Sequence, residues 1–189
     1  MFLDIGLGIL SALLSSQLTS TPVSSLLVIG GIVFALLPDV DFLIHILQKK
    51  SPHHNAYEHR SIVHLPLLYI PIGTLLLYLL LGPLWATTFC FASLFHFLHD
   101  SVGIGRGVQW LYPFSKNSYA FFYMHSRQVK AGLWQWIFIF NDQTLPQFDQ
   151  DHGDDNWIKN IYRSWHPFSL LEYVGFFISV IILIYVLFK

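Results

Sequence analysis

Leu36-Leu37-Pro38-Asp39-Val40-Asp41 sets two carboxylates directly after an apolar run. An ionisable side chain at the centre of a membrane helix costs on the order of 3 kcal/mol, so by default it marks a functional site. Pro38 disfavours helical geometry at the residue before it, so a helix over Val23 to Leu37 is expected to break there and present the acids at its end. Upstream, a short apolar helix is expected over 2–17, separated by the Ser/Thr-rich turn Ser15 to Pro22. Downstream come a short amphipathic piece, Phe42 to Gln48, and a polar loop, Lys49 to His59. A helix over 61–81 follows, long enough at about 1.5 Å per residue to cross a hydrocarbon core, with Pro71 expected to kink it. Gly82-Pro83 turns the chain into a helix over 84–102. The run Phe168 to Phe188 is the plainest transmembrane pattern in the chain. Between them lies a mixed region rich in Trp and Tyr, with an apolar patch at Gly132 to Phe140.

Composition agrees with a membrane setting. The chain is 54% hydrophobic and only 11% charged, where a soluble domain carries about 25% charged residues. A net charge of -1 argues against nucleic acid as a partner. Cys90 is the only cysteine, which excludes a disulfide framework and a thiolate zinc cluster, so any metal must use nitrogen and oxygen ligands. The first run has Asp4 and no Lys or Arg ahead of it, so it reads as a retained helix rather than a secretory signal.

The fold expected is an all-α polytopic membrane bundle of about five transmembrane helices with a small cytoplasmic helical or irregular cap. Residues 1–103 form its membrane core, 104–166 a cytoplasmic or interfacial region, and 167–189 the C-terminal transmembrane helix. If the five runs all cross, Lys49, Lys50, Arg60, Arg106, Lys116, Arg127, Lys130, Lys159 and Arg163 share one side and Lys189 stands on the other. The basic side is the cytoplasmic one, and Asp4, Asp39, Asp41, His59, His64, His96 and Asp100 fall at or near it.

These residues carry the chemistry. His96 and Asp100 are four apart, on one helical face, with His99 bordering it. A neutral imidazole and a carboxylate on one face can chelate a divalent ion such as zinc. His59 stands at the mouth of the 61–81 helix and His64 is expected one turn inside it. Either of Asp39 and Asp41 can bind while the other orients a histidine, and Arg60 offers a planar fork to a phosphate or carboxylate. Singly, each has a plainer reading: an Asp at a helix end caps it, and a membrane His hydrogen-bonds a neighbour. Their gathering on one side favours a metal site. His53 and His54 read as loop residues, and the sequence does not choose among His125, His152 and His166 as a further ligand. The acidic stretch Phe148 to Trp157 lacks the EF-hand spacing and reads as a solvated loop. A zinc protease is disfavoured because His-Glu-x-x-His is missing. A cation transporter ranks last, because the far halves of the helices carry almost no charge.

Four motifs together bring a family into view: Leu36 to Asp41, then Glu58-His59-Arg60-Ser61-Ile62-Val63-His64, then His96-Phe97-Leu98-His99-Asp100, then Trp110-Leu111-Tyr112-Pro113. In order and spacing, over residues 1–115, the chain resembles the YdjM-like family of membrane-bound, predicted metal-dependent hydrolases, itself distantly similar to zinc-dependent phospholipases C and related zinc nucleases. The resemblance implies a hydrolase and phosphoester chemistry. Asp4 stands where family members often carry an early histidine, a swap that favours harder ions such as magnesium or manganese over zinc. Leu65 follows His64 where the family usually has a small hydroxyl residue. The expectation is a multi-pass inner-membrane hydrolase acting on a lipid or lipid-linked substrate. Its ligands for a divalent ion, zinc first, are drawn from Asp4, Asp39, Asp41, His59, His64, His96 and Asp100, with Asp41 as proton acceptor and Arg60 holding the substrate anion. The alternative is a non-catalytic membrane protein with a structural metal or lipid-headgroup site.

Overall fold

The computed structural model describes residues 1–40, 64–102, 107–122, 136–141, 143–144, 147, 156 and 158–189. Five α-helices account for most of it: α1 (Phe2–Leu18), α2 (Ser25–Leu36), α3 (Pro66–Leu81), α4 (Pro83–Asp100) and α5 (Pro167–Leu187). Their starts are written locally. Ser24 caps α2 by accepting a hydrogen bond from the Leu27 amide at 3.2 Å. Pro66, Pro83 and Pro167 open α3, α4 and α5, where proline's missing N–H costs nothing. Gly82, at φ +85, makes the tight joint between α3 and α4 that a side chain would strain.

Two local expectations are corrected. At Pro38 the chain does not break: α2 tightens into a 3-10 turn, Leu37–Asp39, which carries Asp39 on from the helix end. The third helix starts at Pro66, so His64 lies in the chain leading into it rather than a turn inside. The helix runs on through Pro71.

The cap region is also not purely helical or irregular. Strands β1 (Ser118–Phe121) and β2 (Ile137–Phe140) pair antiparallel, with Ser118 opposite Phe140 and Phe121 opposite Ile137. This hairpin is tied to the end of α4: the Phe121 amide donates to the Ser101 carbonyl at 2.5 Å, and Val102 bridges Phe121. The Trp110 indole N–H donates to the Ser101 hydroxyl at 2.8 Å, which in turn donates to the Phe97 carbonyl. Apolar residues that read as a patch thus include a strand, and the Trp110 motif braces the helix that carries His96 and Asp100.

The helices pack through small residues. α1 lies against α2, α4 and α5, α2 against α4, and α3 against α4. A Cβ at Gly8 would fall 2.6 Å from the Gly31 carbonyl oxygen, so α1 and α2 touch backbone to backbone. Gly6 meets Ser179, and Gly175 meets the end of Leu3, so α1 and α5 approach closely as well. Among the described residues, α5 is the one helix both long and apolar enough to cross a membrane; Phe2–Leu18, Ser25–Asp39 and Pro66–Leu81 are shorter apolar helices.

Candidate metal centre

Asp39, His64, His96 and Asp100 each turn one ligand atom into a common space, all within 4.8 Å of one another. They come from three places in the chain: the 3-10 turn after α2, the entry to α3, and one face of α4, where the four-residue spacing stacks His96 over Asp100. His96 Nε2 lies 3.4 Å from Asp100 Oδ2 and 3.9 Å from Asp39 Oδ1, and His64 Nε2 lies 3.7 Å from the same Asp100 oxygen. Zinc bonds of about 2.0–2.2 Å at tetrahedral angles separate neighbouring ligand atoms by about 3.3–3.6 Å, so these gaps are close to those around a single ion. They are longer than ordinary hydrogen bonds, which run at about 2.7–3.2 Å.

His96 supplies a further test of fit. Its ring is fully buried and, among the described residues, its Nε2 has no hydrogen-bond partner, an expense that a buried polar atom normally avoids. On the other side of the ring, Nδ1 is 3.2 Å from Asp4 Oδ1. A carboxylate only accepts, so Nδ1 carries the proton of that bond, and in the neutral ring Nε2 then holds the lone pair, facing Asp39 and Asp100. A carboxylate behind a metal-binding histidine fixes ring and tautomer in this way. Two imidazoles and two carboxylates suit zinc, and the oxygen share also admits manganese.

Asp4 is therefore not placed among the four. It lies behind His96 in a second, wholly buried group with His99 and Glu172. Asp4 Oδ1 also takes the Nδ1–H of His99 at 2.9 Å. The opposite nitrogen of His99 lies 2.8 Å from Glu172 Oε1, in ion-pair contact without the alignment of a hydrogen bond. Glu172 Oε2 accepts from the Leu3 amide at 3.0 Å, and the Met1 amino group lies 2.8 Å from Asp4 Oδ2 and 3.2 Å from Glu172 Oε2. Phe168 stacks on His99 at 5.6 Å and 9°, and Tyr162 meets Phe168 edge-on. Tyr162 lies in the π-turn Ile158–Tyr162 before α5, and burial, with the Glu172 carboxylate adding to it, pushes its phenol well above the ordinary value.

Of the residues singled out from sequence, the structure brings together Asp39, His64, His96 and Asp100 and sets Asp4 behind them. Asp41, His59 and Arg60 lie outside the described residues, as do His53, His54, His125 and His152 and all but Asn156 of the stretch 148–157. His166 caps α5 by accepting from the Phe168 amide. Sequence reasoning missed Glu172. The signal was present: it is the only acidic residue in the apolar run that forms α5.

No curated protein and no solved structure matches the chain. One family model does, over residues 4–188 and so over nearly the whole sequence. The chain belongs to the YdjM inner membrane protein family.

Proposed function

We propose that this protein is a membrane-bound, metal-dependent hydrolase that cleaves a phosphoester or other ester bond of a lipid or lipid-linked substrate. The observation that carries the reading is the buried His96 Nε2, which has no hydrogen-bond partner among the described residues and faces two carboxylates at 3.4 and 3.9 Å. A divalent ion bound there, zinc first and magnesium or manganese as alternatives, would polarise the scissile bond and bring the pKa of a water toward about 7. Asp39, His64, His96 and Asp100 would hold the ion. Asp4 keeps His96 in the binding tautomer. Asp41 accepts the proton from the attacking water, and Arg60 pairs with the substrate's anionic group.

The site belongs at the cytoplasmic face of the inner membrane, in a chain that crosses about five times. Support comes from the exposed apolar side chains of α3 and α5, such as Leu75, Leu79, Leu80, Phe177, Ile181 and Leu187, which suit lipid better than water. A lipid headgroup would then reach the ligands sideways from the bilayer.

Elemental analysis of the purified protein, with phospholipid and lipid-phosphate hydrolysis assays on the wild type, Asp39→Ala and His96→Ala, tests the proposal. Stoichiometric metal and turnover in the wild type, both lost in the variants, is the expected result. No metal, with turnover unchanged in the variants, overturns it. Metal without any hydrolysis favours the alternative, a non-catalytic membrane protein with a structural metal or headgroup site.

A further inference from the structure

Glu172 is fully buried on α5, a helix otherwise apolar enough to cross a membrane. An acid in such a place needs partners that justify its burial. One is the Leu3 amide at the start of α1, where a carboxylate is favoured by the free N–H groups of a helix end. That contact alone would ask only for an acceptor. The others are the Met1 amino group, 3.2 Å from Oε2, and His99. Glu172 holds one nitrogen of this ring and Asp4 the other, while Phe168 fixes its plane. The two carboxylates thus meet the two nitrogens of a single imidazole, which links the trio into a relay of contacts, and one ligand atom of each residue also lies within 4.8 Å of the others. His99 and His96 then share Asp4 Oδ1.

We propose that Glu172 is a positioning residue for the metal centre, acting through His99 and Asp4 on the ring of His96. The proposal rests on the reading of Asp39, His64, His96 and Asp100 as metal ligands. The line of contacts starts on α5, crosses to α4 at His99, to α1 at Asp4, and returns to α4 at His96. Its effect is to orient Asp4 so that the Nδ1 proton of His96 stays in place and the Nε2 lone pair stays turned toward Asp39 and Asp100. α1 packs closely on α5 where Gly6 meets Ser179 and the Phe176 backbone, which keeps Glu172 beside the start of α1.

Glu172→Gln tests it, since glutamine keeps the size and an acceptor for the Leu3 amide but removes the charge facing His99. His99→Gln is the second variant. Full-length proteins in detergent are titrated with cobalt(II), read by its visible absorption, and with zinc against a chromogenic chelator. We expect about 10–100-fold weaker binding and an altered cobalt spectrum in both variants, with the melting temperature of the metal-free protein preserved in at least one. If the wild type binds neither ion, the metal-ligand reading itself has failed and this proposal goes with it. If the wild type binds and both variants keep its affinity and spectrum, Glu172 is a helix cap only and the proposal alone is overturned. If neither variant folds, Glu172 serves helix packing, which overturns it as well.

Discussion

Asp4 Oδ1 lies 3.2 Å from His96 Nδ1, with the other ring nitrogen facing Asp39 and Asp100. Removing the carboxylate frees the ring to turn and to move its proton. Asp4→Ala should therefore weaken zinc binding by about 10–100-fold although no ligand is deleted. It also leaves the Nδ1–H groups of His96 and His99 without their shared acceptor, so the metal-free protein should lose about 1–3 kcal/mol of stability. Competition titration and thermal melting check the two effects separately. Unchanged zinc affinity would mean that the ring is held by its packing alone.

The four candidate ligands also predict how metal affects stability. They join the end of α2, the entry to α3 and the face of α4, so an ion held by all four binds the folded chain and not the unfolded one. At a free concentration one hundred times its Kd, it should add about 2.7 kcal/mol. Melting temperature should rise with zinc and fall with a chelator in the wild type. In His96→Ala both shifts should largely vanish. Equal shifts in the two proteins would place the ion elsewhere.

Much of this arrangement was readable from the sequence, and what was not has a physical reason. The apolar runs located all five helices because long apolar stretches bounded by Pro, Gly and Ser read as helices from length and end signals alone. The His96/Asp100 pair was legible because helical spacing alone puts both on one face. Asp4 was found, but its place behind His96 depends on which way an imidazole turns, and chain spacing holds no such information. Glu172 was absorbed into the transmembrane reading of Phe168 to Phe188, since one acid hardly alters the hydropathy of a long run. The pairing of β1 with β2 spans residues far apart in sequence, and four-residue strands have too few alternations to stand out. His64 was assigned to the helix by the length of the apolar run, whereas Pro66 sets the start.

Trp110 offers a test of the bracing between the hairpin region and α4. Its indole N–H donates to the Ser101 hydroxyl, one residue beyond Asp100. Trp110→Phe keeps most of the ring's packing against Phe97 and deletes that bond. A loss of about 1 kcal/mol is expected in denaturant unfolding. Because Asp100 sits at the end of the helix being braced, metal affinity should fall as well, by less than in Asp4→Ala. A stability loss with metal binding wholly intact would separate the brace from the site.

The glycines at the helix contacts make a comparative prediction, because the same substitution meets different obstacles. At Gly8 an added methyl would sit 2.6 Å from both the Gly31 carbonyl oxygen and the Ile32 Cα, which are backbone atoms that cannot move without shifting α2. At Gly175 the nearest atom is the Leu3 Cδ1 at 2.4 Å, the far end of a flexible side chain, with the next neighbour at 3.8 Å. Alanine gains up to about 1 kcal/mol over glycine in a helix interior. That gain should largely offset the small rearrangement at Gly175, leaving Gly175→Ala near neutral. Gly8→Ala should instead cost about 1–3 kcal/mol, the usual range for overpacking a tight core. Since α2 carries Asp39 at its end, the shift forced by Gly8→Ala should also weaken metal binding, while Gly175→Ala should not. Denaturant unfolding in detergent, paired with zinc titration, reads both quantities. Equal stability of the two variants would show that α1 and α2 are not in backbone contact at Gly8.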